Sequence, residues 1–229
     1  MKGKMEMNLT SAIVELSNDL FDDTNDWYNW RKINETSIPQ EIKLPEGNQY
    51  KKNIALKVKL HDKWKSETDL SKKGELIEYY IKTWGGIKGN KPFAMEEYKS
   101  FLAEELIEKG AKGIASWSKA LVVHDYNKYA IFDARVSCSL NALQIIYNTK
   151  DKRLYPILAS QNKRIIQANK KLKLISKEYN WIKPNEYTFY NEYLELLSYS
   201  ARDLNSNIST VEMLLFAKAA ELIEKAKLI

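Results

Sequence analysis

The chain reads as a mainly helical protein. Its 229 residues include only eight glycines and five prolines, few for a turn-rich β architecture. Apolar residues return every three to four positions in one segment after another, the period of helices with a buried face. One stretch departs from that rule. Ile54, Leu56, Val58 and Leu60 alternate with other residues, which predicts one short strand in the N-terminal part, with no clear partner strand beside it. At this length a single domain over 1–229, or two interleaved subdomains, is the expected count.

Ile13, Leu16 and Leu20 give the first helical face, with Thr10 or Ser11 as its cap. Asp22 to Arg31 is acidic and aromatic, and Trp27, Tyr28 and Trp30 either pack at a helix start or stack on bases. Pro39, Pro45 and Gly47 make 39–52 turn-like, closing an N-terminal cap segment over 1–52. Leu76, Ile77, Tyr80, Ile81 and Trp84 form a strong helical face that Gly85 and Gly86 end. The stretch Trp84-Gly85-Gly86-Ile87-Lys88-Gly89-Asn90 leaves exposed amides near Lys88 and Lys91, either a phosphate-holding turn or a simple cap. Pro92 suits the start of the next helix, whose face runs through Met95, Tyr98, Leu102, Leu106 and Ile107.

Residues 108–143 carry the densest set of signals. Gly110 suits a left-handed C-cap, and Lys112-Gly113 completes a turn. Ile114, Trp117, Ala120 and Leu121 then face one way on a helix that stops at Asp125-Tyr126-Asn127. Asp133 precedes Val136, Leu140, Leu143 and Tyr147, and aspartate is a favoured N-cap. Beyond Tyr147, residues 148–153 read as a solvated loop. Ile157 to Ser176 holds the densest basic run, Lys163, Arg164, Lys170, Lys171 and Lys173, continued by Lys177; it is a solvated face or one that tracks phosphates. Tyr187 to Tyr199 is an aromatic-rich helix, and Ser209 to Glu212 matches a capping box opening the last one.

The hairpin Gly110-Ala111-Lys112-Gly113, the Ser118-Lys119 pair and Ile131-Phe132-Asp133-Ala134-Arg135-Val136 together resemble the helix-hairpin-helix DNA glycosylases, most closely small bacterial proteins with the 8-oxoguanine glycosylase fold. The resemblance extends from Trp84 to Phe216. It implies a helical glycosylase-like fold and a hairpin that grips the DNA backbone. It also implies an aspartate, Asp133, that stabilises the sugar cation, and a lysine, Lys119, that attacks the sugar. Counting back the family's usual lysine–aspartate spacing from Asp133 reaches the region of Ile114, so two mechanisms stay open: Schiff-base chemistry at Lys119, or water activated by Asp133. The expectation is that Lys119 faces the same pocket as Asp133 and does not lie on the outer surface.

DNA-binding residues expected from the hairpin, the glycine turn and the basic run are Gly110, Lys112, Gly113, Gly85, Gly86, Lys88, Lys163 and Arg164. The net charge of +6 suits an anionic partner. Cys138 is the sole cysteine, which excludes an internal disulfide and a cysteine-ligated iron–sulfur cluster, and two histidines are too few for a histidine-rich metal site. No cofactor is called for. The N-terminus lacks an apolar signal core and no stretch approaches a membrane span, so the reading is a cytoplasmic monomer acting on DNA. The competing classes are a DNA glycosylase working in base-excision repair or in antiviral defence, a non-catalytic helix-hairpin-helix DNA-binding module, and a helical protein–protein adaptor. The target base is not legible.

Overall fold

The computed structural model describes residues 7–17, 27–30, 32–100 and 102–229. Leu20, Arg31 and residues 22–26 of the acidic-aromatic segment lie outside them. Among the described residues there are ten α-helices and no strand, and none of the helices is long and apolar enough to cross a membrane. The chain divides into two compact units, one of residues 1–25 and 132–229, the other of residues 26–131.

In the first unit, α1 (Leu9–Leu16) is capped by Asn8, whose Oδ1 accepts from the Ser11 amide at 2.7 Å; the cap thus falls ahead of the expected Thr10 or Ser11. The centre is α7 (Ala134–Ile146), against which α10 (Ile208–Lys225), α1 and α8 (Lys163–Glu178) pack; α9 (Phe189–Asp203) lies on α10 and α1. Nine consecutive residues of α7, Val136 to Gln144, are buried, so polar members of that run need partners. They find them in an extended segment. Asn141 Nδ2 donates to the Tyr155 carbonyl at 3.1 Å and its Oδ1 accepts from the Tyr155 amide at 3.0 Å. Gln144 repeats the pattern on Arg153, at 2.8 and 2.7 Å, and Ser137 Oγ donates to the Pro156 carbonyl at 2.6 Å. Residues at i, i+4 and i+7 share a helix side, so one row of α7 zips this chain along its length. The solvated loop expected over 148–153 is therefore only half right: Thr149 is buried, and Arg153 enters this row and also forms an isolated bridge with Ile182.

The cap of α10 is likewise shifted. Asn207 Oδ1 accepts from the Thr210 amide at 2.9 Å, and Ser209, Thr210 and Glu212 lie buried inside the helix instead of forming a capping box. The shift follows from burial: a box glutamate reaches back along the surface, and Glu212 is 2% exposed.

In the second unit, α6 (Ile114–His124) is central, contacted by α2 (Gln49–Ser66), α3 (Leu70–Glu78), α4 (Pro92–Ser100) and α5 (Ala103–Ile107). The strand expected at 54–60 is a helix, α2. Asn48 caps it, accepting from the Lys51 amide at 2.9 Å, and its buried positions are Asn53, Leu56, Lys57 and Leu60, a 3.6-residue stripe. Two of those four are polar, so the helical stripe was invisible to an apolar pattern and the alternation of Ile54 and Val58 was incidental. α3 passes without a break into a π-helical turn over Tyr79–Trp84. The single helix expected from Pro92 to the hairpin is two, because the chain is extended at Leu102, which is 68% exposed.

At the C-terminal end of α6, His124 stacks on Trp64 with ring centroids 4.4 Å apart, and its buried Nε2 has no hydrogen-bond partner. Lys73 sits over the Trp64 ring at 4.5 Å. Burial first, then the charges of Lys73 and His61, push the His124 imidazole down to about 4. A histidine held neutral in the fold lends stability above its unfolded value near 6.5, and that stability drains as pH falls towards 4. Acidification across this window should cost the folded state up to about 3 kcal/mol in urea titrations, and His124→Phe should flatten that slope. A second expectation comes from α7: Asn141→Ala leaves the Tyr155 carbonyl without its donor and should cost about 1–3 kcal/mol in the same assay, whereas a neutral result would mean the segment is held by other contacts.

Candidate functional site

The hairpin between α5 and α6 is built by two left-handed glycines. Gly110 has φ +59° and donates to the Ile107 carbonyl at 3.0 Å; Gly113 has φ +73° and precedes α6 as its N-cap residue. The Gly113 carbonyl accepts from the Ser116 and Trp117 amides at 2.8 and 3.1 Å. The fully buried Trp117 ties down the turn by donating Nε1–H to the Lys112 carbonyl at 3.1 Å. A Cβ on Gly113 would fall 2.5 Å from the Tyr98 hydroxyl, so both conformation and space require glycine there. The amides of Ala111, Lys112 and Gly113 have no acceptor among the described residues, and the Lys112 side chain is exposed. Unengaged amides beside a cation are the kind of group that can receive an anion.

The glycine turn after Trp84 has a different character. Gly85 donates to the Tyr80 carbonyl and Ile87 to that of Ile81, each at 3.1 Å, so those two amides are engaged. Gly86 takes φ +70°, and Lys88 is exposed. Gly85 is shaped by what passes over it: a Cβ there would meet Lys119 Cε and the Ile81 carbonyl oxygen at 2.7 Å each. Lys119 is 4% exposed, and its Nζ donates to the Ala115 carbonyl one turn back at 2.6 Å. The lysine is thus enclosed and not one of the surface lysines. Ile114, at the alternative position, is buried as well, and α6 is buried from Ser116 to Val123 without a break.

In the other unit, Asp133 is the N-cap of α7. Its Oδ1 accepts from the Arg135 and Val136 amides at 2.9 and 3.0 Å, while Oδ2 has no protein donor among the described residues. The residue is half-buried. Behind it lies an aromatic floor. Phe132 meets Tyr193 and Phe189 edge-on at 5.1 and 5.4 Å, and Tyr155 lies 6.5 Å away. Burial, then the charge of Glu212, Tyr190 beside it and the charge of Asp133 drive the Tyr193 phenol well above its ordinary value, so it remains a hydroxyl. Burial alone takes the Cys138 thiol up to about 12, which makes it inert.

Within the unit of residues 26–131, the hairpin glycines and Lys112 form one feature and Lys119 and Gly85 another; in the other unit Asp133 opens α7. Lys163 and Arg164 are at the start of α8, Arg164 paired with Glu224 at 2.8 Å. Sequence reasoning took Glu212 for part of a capping box and passed over Tyr193 as a site residue; a lone glutamate inside the apolar run from Val211 to Phe216 was the available signal. Among the described residues no His, Cys, Asp or Glu cluster has metal-binding geometry. No family model, curated protein or solved structure matches the chain.

The contact at Gly85 is testable. Gly85→Ala should displace both the Ile81 carbonyl and the Lys119 chain and cost about 1–3 kcal/mol by chemical denaturation. Gly89→Ala, with nothing within 4 Å of the new Cβ, should stay within about 0.5 kcal/mol of wild type.

Proposed function

We propose that the protein is a DNA glycosylase that turns a damaged or modified base out of a duplex and excises it. The observation that carries this reading is the Asp133 carboxylate, fixed by two helix amides through one oxygen while the other is left without a protein donor. Cleaving an N-glycosidic bond develops positive charge on the sugar, and a carboxylate held in advance at C1′ stabilises that charge without reorganising. The resemblance assigns this task to the residue that opens this helix. Its N-cap duty does not compete, since capping occupies a single oxygen.

Lys119 supports the covalent version. Its amine attacks C1′, the C1′–N bond breaks, and the base leaves with the electron pair and is protonated. Loss of a proton from nitrogen and opening of the sugar give an imine, from which elimination cuts the strand. The enclosed position keeps water from competing with the amine. In the alternative version, Asp133 directs water to C1′ and the strand stays intact. The unengaged hairpin amides at Ala111, Lys112 and Gly113 favour contact with a phosphate in either case, and they equally suit a binding module without chemistry. The setting we propose is cytoplasmic base-excision repair or defence against phage DNA that carries modified bases.

A panel of modified-base duplexes, scored for abasic sites and for borohydride-trapped protein, separates these readings. On a true substrate Asp133→Asn should lose at least about 100-fold in excision rate while still folding and binding DNA, because an amide also caps a helix. Trapping should occur with wild type and fail with Lys119→Gln. Full excision by Asp133→Asn would sink the assignment; excision without trapping would select the water mechanism; DNA binding with no product across the panel would leave the binding module.

A further inference from the structure

The outward side of α8 carries four lysines that the proposed chemistry does not use. Its buried stripe is Ile165, Ala168, Asn169, Leu172 and Ser176. Lys163, Lys170 and Lys177 follow one another at seven-residue steps on the far side, ~10.5 Å apart with a drift of ~20° per step, and Lys173 lies beside this line. All four are exposed, and none has a carboxylate in ion-pair range among the described residues. The cations on the opposite flank are engaged: Arg164 pairs with Glu224, and Lys171 donates to the Lys227 carbonyl at 3.4 Å. The single acid of α8 is Glu178, its last residue. Lysines at i, i+3 and i+7 repel one another, and no ion pair among the described residues relieves them.

We infer that this lysine stripe is a sequence-independent docking surface for the phosphates of duplex DNA, additional to the hairpin. The inference rests on duplex DNA being the partner and is independent of the excision chemistry. From Lys163 to Lys177 the helix runs ~21 Å, a length in which one DNA strand offers about six phosphates. Each neutralised phosphate releases counterions, so the stripe contributes through entropy and its contribution fades with salt. An anionic membrane is the poorer fit. A helix lying in a lipid interface needs a broad apolar face, and here only Ile166 and Leu174, 39% and 67% exposed, interrupt the lysines.

The test is the affinity of the full chain for a short unmodified duplex as a function of salt, for wild type and for a variant carrying Lys163→Gln, Lys170→Gln, Lys173→Gln and Lys177→Gln. Glutamine keeps helix propensity, and circular dichroism checks that the fold is retained. The slope of log affinity against log salt should become shallower by about 3–4, close to 0.9 per lysine removed. An unchanged slope in a folded variant overturns the stripe and leaves the glycosylase reading intact. Wild type that ignores the duplex but binds phosphatidylserine vesicles, with binding lost in the variant, overturns it in favour of a membrane surface. Wild type that binds neither removes DNA as the partner and sinks both readings. The expected slope change without excision of any base sustains the stripe and removes the chemistry.

Discussion

Everything in the first unit hangs on the row of hydrogen bonds along one side of α7. A helix buried over nine successive residues is ordinarily surrounded by other helices, whose own backbone bonds are already satisfied. Here one neighbour is extended chain, and extended chain enters a core only if something pairs its amides and carbonyls. Asn141 and Gln144 do so as neighbouring strand residues would, each giving one donor and one acceptor to a single residue of the segment. Each bond adds only about 1 kcal/mol net, but its loss exposes the full desolvation penalty of the group left behind. The row also shapes the surroundings of Asp133. It sets Tyr155 beside Phe132 and so completes the aromatic floor next to Asp133.

The central helix of the second unit faces the same problem and meets it differently. With Ser116, Ser118 and Lys119 all inside, α6 satisfies its polar side chains largely on its own backbone: Ser118 donates to Ile114 at 2.6 Å and Lys119 to Ala115. Ser116 instead shares two bonds with Asn90. The lysine chain needs room as well as a partner. The π-helical turn over Tyr79–Trp84 ends at Gly85 with Lys119 Cε so close that a methyl group could not be accommodated. π turns are rare and concentrate at functional positions.

Much of the local architecture was legible in the chain. The turn glycines Gly110 and Gly113 are left-handed, Asp133 caps the helix it precedes, and the apolar face of α6 is buried as its spacing required. Two of the errors share a cause. At α2 and at Glu212, polar residues occupy buried positions, and a pattern search treats polar residues as surface. Ile54 and Val58 then mimicked a strand, and Glu212 mimicked a cap.

By itself the sequence determined the helical class, the hairpin, the cap at the start of α7 and the excess of cations along α8. These depend on turn conformation, side-chain period and charge, all of which act within a few residues. Tertiary structure alone decided which polar side chains go inside, since burial of Asn141, Gln144, Lys119 or Glu212 is tolerated only when partners from elsewhere in the fold, or the helix's own carbonyls, are brought to them. Only the fold separated the engaged cations Arg164 and Lys171 from the four lysines left facing solvent on the same helix, because pairing depends on where Glu224 and the Lys227 carbonyl come to lie.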